Sequence, residues 1–197
     1  MSPLTSPGPR DLIAIGSQTV GPFFHVGPGA TDRLGRVAAA TNDPHGIRLR
    51  VRVLDGDGAP VPDALIELWQ ADAFGRYSSG EPNCIGPMPA FTGFGRLGTS
   101  EDGTCLFDTV RPGLLPAEEG LTQAPHIHVC LFARGLLRHV YTRVYFDGDL
   151  TFERDPIVAL VPAHRRGTLL ARQTGNTSDW EFVIRLQGDA ETVFFDL

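Results

Sequence analysis

The chain has little with which to cross a membrane, build a disulfide framework or grip nucleic acid. No apolar run approaches the ~20 residues that span a bilayer. The opening stretch MSPLTSPGPRDLIAIGSQTVGPFF lacks a charged start followed by an apolar core of about seven residues. The expectation is therefore a soluble, unexported, cytoplasmic protein with no membrane partner. Cysteine is scarce, and Cys84, Cys105 and Cys130 stand far apart without a C-x-x-C pair. That pattern disfavours structural zinc and fits reduced thiols. Positive charge is short as well: the net charge is -6, and the basic residues lie singly or in pairs such as Arg165-Arg166. A phosphate backbone would find no basic stripe, so nucleic acid is excluded as a partner. Internal repeats and low-complexity tracts are also lacking, which leaves 197 residues to form one domain with a real core.

What is present is punctuation. The 23 glycines and 16 prolines are spread along the whole length between short apolar runs, a pattern that favours many short strands over long helices. In IRLRVRVLDGDG, Ile47, Leu49, Val51 and Val53 alternate with Arg48, Arg50 and Arg52 before the turn residues Asp55 to Gly58. Further strands are expected over Ala64 to Gln70, after Asp102-Gly103, and over Ile127 to Phe132, His139 to Phe146, Trp180 to Leu186 and Thr192 to Phe195. Helix signals are short: Asp155-Pro156 caps one or two turns ending by Val161. The fold class is all-β, a β-sandwich with short helices. Residues 1–45 are read as an extended N-terminal arm and loops, and residues 46–197 as the sandwich core. The arm carries Phe23 and Phe24 in VGPFFHVGPG, which need cover from the body or from a partner chain.

Chemistry concentrates in APHIHVCLFARG. In a strand, residues two apart leave from one face, so His126 and His128 point together while Ile127 and Val129 point away. Two metal ligands can use that geometry, and so can two satisfied polar groups on a strand face. Tyr77 closes WQADAFGRY, where a strand runs out into a Gly-containing loop. A phenolate there is a hard anionic donor suited to ferric iron; alternatively Tyr77 is an edge aromatic with its hydroxyl in water. Residue pattern alone leaves both alternatives open.

Three stretches, RVLDGDGAPVPDALIELWQADAFGRY, then TVRPG, then APHIHV, resemble the intradiol ring-cleaving dioxygenases, and the likeness extends from SQTVGPFFHVG to LQGDAETVFFDL. The resemblance implies an oxidoreductase acting on a small aromatic diol with O2. Some members of that family pair two related β-sandwich subunits, alpha and beta, and the beta subunit holds non-haem Fe3+ through two tyrosines and two histidines. Tyr77, His126 and His128 fall on three of those ligand positions. The fourth lies in a Pro-Gly-x-Tyr-Pro segment that reads Pro112-Gly113-Leu114-Leu115-Pro116 here, so Leu115 takes its place. An arginine of the catalytic subunits, three residues before the first histidine, is replaced by Gln123.

SQTVGPFFHVG, LFARG and GDAETVFFDL are similar to the alpha type. The resemblance therefore implies that Tyr77, His126 and His128 are remnants of a metal site, with the iron expected in a homologous beta partner within a larger hetero-oligomer. Thr19, Pro22 and Arg134 match positions that line the shared substrate pocket, Arg134 as the partner of a substrate carboxylate. Two other readings stand beside this one: a self-sufficient intradiol dioxygenase with a reduced ligand set, and a non-catalytic transthyretin-like binding module.

Overall fold

A computed structural model describes residues 18–21, 32–38, 43–78, 91–117 and 120–196. Ten strands and one short helix follow in chain order: β1 (Gly46–Leu54), β2 (Leu65–Gln70), β3 (Phe94–Gly98), β4 (Thr104–Val110), β5 (Leu115–Pro116), β6 (Thr122–Gln123), β7 (Ile127–Phe132), β8 (Val140–Phe146), α1 (Pro156–Ala159), β9 (Leu170–Gln173) and β10 (Asp179–Arg185). Hydrogen bonding runs in the order β3-β2-β7-β8-β9-β10-β1-β4, while β5 and β6 form a separate ribbon. The long sheet folds into two layers joined where β8 and β9 pair in parallel at Tyr145–Leu170 and Phe146–Ala171.

Alternation explains the layering. On β1 the aliphatic residues Leu49, Val51 and Val53 are fully buried while the arginines between them are exposed. Ile66, Leu68, Ile127, Val129 and Leu131 from the first layer meet Leu49, Val51, Phe107, Phe182 and Ile184 from the second in one apolar core. A smaller core of Tyr145, Phe152, Val158, Val161 and Leu169 lies beneath α1. Asp155 caps that helix by accepting from the backbone N–H groups of Ile157 and Val158, as its position before Pro156 anticipated.

Several elements differ from the sequence expectation. Thr192 to Phe195 does not form a strand; Phe195 makes only an isolated antiparallel bridge with Tyr141. β3, β9 and the β5–β6 ribbon were not anticipated, nor was the 3-10 segment Ala163–Leu169. In the N-terminal region, Val37 belongs to the main core and its N–H donates to the Asp108 carbonyl at 2.8 Å. Phe23 and Phe24 lie outside the described residues.

Candidate functional site

The layer β3-β2-β7-β8 turns one face to the core and the other outward. Register fixes what the outer face carries. Phe94 pairs with Trp69, Trp69 with His128, and His128 with Arg143, so four adjacent strands contribute one row of side chains. The next row along the strands is Arg96, Glu67, Cys130 and Tyr141. Its Glu67 carboxylate accepts from Arg96 Nε at 2.8 Å.

His126 stands just before β7 and turns its ring toward that of His128, with Nε2 to Nε2 at 3.1 Å. Its Nδ1 lies 2.8 Å from the Ala124 carbonyl, which can only accept, so Nδ1 carries the proton. The lone pair of a neutral His126 is then on Nε2, and His128 Nε2–H donates to it. Burial pulls both rings down, His126 to about 4 and His128 to about 3. The Arg143 cation acts in the same direction on each, and His126 adds to the depression of His128. Both rings are neutral at neutral pH.

Tyr77 reaches this face through a tight turn built by Asp72. One Asp72 oxygen accepts from the N–H groups of Phe74 and Arg76, and the other from Arg76 Nε at 2.9 Å. Gly75 sits at φ +74, where a Cβ would overlap the Leu114 carbonyl. Only glycine lets the turn before Tyr77 lie directly against the segment that carries Leu115. Tyr77 stacks on Trp69 with ring centroids 6.2 Å apart and planes 13° from parallel. Its phenol is pushed above the ordinary value by partial withdrawal from water, which Arg143 opposes.

Leu115 is buried and pairs across the ribbon with Gln123, so both side chains leave the same face. Gln123 Oε1 accepts from Arg143 Nη1 at 2.8 Å, and the same nitrogen lies 3.3 Å from the Tyr145 hydroxyl. Arg143 is the residue that sequence reasoning missed. Tyr141, Arg143 and Tyr145 alternate with Thr142, Val144 and Phe146, which marked an outward side chain. Its position opposite His128 depended on a strand pairing that no local pattern states.

Thr19 and Arg134 meet elsewhere. Gly135 N–H donates to Thr19 Oγ1 at 2.8 Å, which holds Thr19 against the loop after β7. Arg134 beside it is 55% exposed, with Nη2 3.5 Å from an Asp63 carboxylate oxygen. Pro22 lies outside the described residues. His126 precedes β7 and Arg134 follows it, so roughly 20 Å of extended chain separates His128 from Arg134. The two groups of residues therefore lie at opposite ends of one strand.

Chemically, two imidazole nitrogens 3.1 Å apart are spaced as adjacent ligands of one ion at ~2.0–2.1 Å would be. Among the described residues no group of three or more His, Cys, Asp or Glu side chains is placed to hold a metal. The pair is faced by the Arg143 guanidinium and by the Tyr145 ring, 5.6 Å from that of His126, with Gln123 hydrogen-bonded to Arg143 behind them.

A family model described as Dioxygenase matches residues 19–188. The chain is 40% identical over 196 residues to the protocatechuate 3,4-dioxygenase alpha chain of Burkholderia cepacia, covering 92% of this chain and 96% of that one. It is 34% identical to the beta chain from the same organism, covering 91% of this chain and 79% of that one. Among solved structures, catechol 1,2-dioxygenase from Acinetobacter sp. ADP1 superposes with a TM-score of 0.58 at 22% identity, over 76% of this chain and 55% of that one.

Proposed function

The chain belongs to the dioxygenase family whose model it matches, and from that premise we propose that it is the alpha subunit of a protocatechuate 3,4-dioxygenase, completing the active site of an iron-bearing beta partner. The reaction is intradiol cleavage of 3,4-dihydroxybenzoate with O2 to 3-carboxy-cis,cis-muconate. Non-haem ferric iron, bound in the partner, supplies the chemistry toward O2.

One observation carries the division of labour: His126 and His128 lie at one end of β7, and Thr19 with Arg134 at the other. An arginine roughly 20 Å along the strand cannot orient a substrate bound at its own chain's histidines. It can serve a site brought up by a second chain. Thr19 and Arg134, with Pro22, contribute pocket wall and a guanidinium for the substrate carboxylate, while Asp63 holds Arg134 at rest.

The residues of this chain do not fit ferric iron. A trivalent ion needs anionic oxygen donors, and the sequence position of the family's second tyrosine is the buried Leu115 here, while the Arg143 cation is paired across the strands with His128. Tyr77, His126 and His128 are remnants. Residues 1–45 act as the arm that meets the partner, and residues 46–197 as the sandwich. The free thiols Cys105 and Cys130 support a place in the reducing cytoplasm. No helix among the described residues is long and apolar enough to cross a membrane.

The test is purification with and without the beta partner, followed by iron analysis and visible spectroscopy. The assembled enzyme is expected to show the tyrosinate-to-iron colour and ring-cleaving turnover, and this chain alone neither. Stoichiometric ferric iron in the isolated chain would overturn the assignment in favour of a self-sufficient dioxygenase.

A further inference from the structure

Arg143 is out of keeping with a mere remnant. Of the other partly buried arginines, Arg96, Arg111, Arg165 and Arg166 each meet a carboxylate, from Glu67, Asp149, Glu191 and Glu153 respectively, while among the described residues Arg185 pairs with none. Arg143 is also partly buried, yet its hydrogen bonds are to the neutral Gln123 amide and Tyr145 hydroxyl, both through Nη1. Among the described residues no carboxylate pairs with it. The nearby Asp155 carboxylate is engaged by the N–H groups of Ala124, Ile157 and Val158. A guanidinium withdrawn from water without a counter-charge is costly, and two of its three nitrogens still have donors to give. That is the arrangement of a site waiting for an anion.

The neighbours say which anion. Two strand spacings away in the same row, ~10 Å across the sheet, Trp69 leaves 41% of its surface exposed, and Tyr77 stacked on it leaves 43%. His128 lies between the guanidinium and this aromatic wall, directly paired with both Trp69 and Arg143. The row therefore offers a cation at one end, an imidazole in the middle and apolar ring surface at the other. A benzoate-sized molecule matches that span, with its carboxylate at Arg143 and its ring against Trp69 and Tyr77.

We propose that the Trp69–His128–Arg143 row is a metal-free binding site for a small aromatic carboxylate, separate from the site that Arg134 completes. It rests on the reading that iron resides in the partner. The family's cation site has become, in this chain, an anion site: Arg143 supplies the positive charge, and Leu115 takes the sequence position of an anionic ligand to a metal.

The experiment uses the assembled, iron-loaded enzyme with 4-fluorobenzoate as probe, followed by 19F NMR. Probe bound beside ferric iron is broadened by the paramagnetic centre, whereas probe at this row gives a narrow, saturable signal. One such site per copy of this chain is expected. Arg143→Met should weaken it at least tenfold and Arg143→Lys by less, while fluorobenzene, lacking the carboxylate, should not occupy it. Absence of any narrow saturable signal in the wild-type enzyme would overturn the proposal, because it does not depend on whether a variant folds. Unchanged binding in Arg143→Met, or equal binding of fluorobenzene, would overturn it too. Iron content is read in parallel: iron found in this chain would defeat the division of labour, whereas a missing narrow signal with iron in the partner would defeat only the carboxylate site.

Discussion

At the scale of single residues, Arg143 on the outer sheet face and Arg134 on the loop after β7 have separable proposed roles. Arg134 is exposed and only loosely paired with Asp63, so it is free to change partner when a carboxylate arrives. Replacing it with alanine should remove a charge-assisted contact worth about 1.5–3 kcal/mol, or roughly ten- to a hundredfold in kcat/KM for 3,4-dihydroxybenzoate. Catechol, which lacks the carboxylate, should be turned over almost as before, and iron content should hold. Steady-state kinetics with both substrates, on an enzyme shown by size to be assembled, checks this; equal losses would assign Arg134 to structure, through its pairing with Asp63. Arg134 was legible in LFARG because the resemblance marked it. Arg143 was not, since its significance comes from facing His128 across a strand pair.

At the scale of elements, short connections do most of the positioning. Asp155 accepts from Ile157 and Val158 at the start of α1 and from the buried Ala124 N–H at 2.8 Å, tying the helix to the segment that leads into His126. Asp155→Ala should destabilise the fold by about 2–4 kcal/mol, a lost cap plus an unsatisfied buried donor, measurable as a lower urea midpoint. Gly75→Ala should separate the Tyr77 turn from the Leu115 segment, because the added methyl collides with the Leu114 carbonyl at a φ that alanine disfavours. A stability loss of at least about 1 kcal/mol, with a change in Trp69 fluorescence, is expected.

Asp149 gives the acid response of the loop after β8. Burial raises its pKa, but hydrogen bonds from Thr151 and Arg111 outweigh that and hold it below the ordinary carboxylate value. A depressed folded pKa means that its contribution is present above the unfolded value near 3.8 and is lost as pH falls through the folded one. Urea midpoints measured between pH 5 and 2 should therefore fall less steeply at the acid end in Asp149→Asn, which starts from a lower stability at pH 5.

At the scale of the whole molecule, the proposed function is divided between the ends of one strand, and assembly is expected to bring the halves of two chains together. The arm is the element expected to mediate this. Thr19 is docked by the Gly135 N–H, and Phe23 and Phe24 follow it closely in sequence. Deleting residues 1–25 should weaken association with the beta partner or lower kcat/KM of the assembled enzyme, because an apolar contact and a wall of the pocket are removed together. Sedimentation and kinetics that both match the full-length chain would remove this role.

The sequence by itself determined the all-β class, most of the long strands and the functional vocabulary. Alternation on β1 and β7 states which side chains face inward, and Leu115, His126, His128 and Arg134 are recognisable in order along the chain. Where local pattern is weak, tertiary structure decided. FGRLG, with two glycines, becomes β3 only because β2 pairs with it through Glu67 and Arg96. LARQ becomes β9 because it fills the gap between β8 and β10. TVFF, an apparent strand, finds no edge to join beyond the bridge at Phe195. Register is a property of pairs of distant segments, and a shift by one residue exchanges the two faces of a strand. Only the paired fold could set Arg143 against the histidines and hold Arg134 a full strand length away from them.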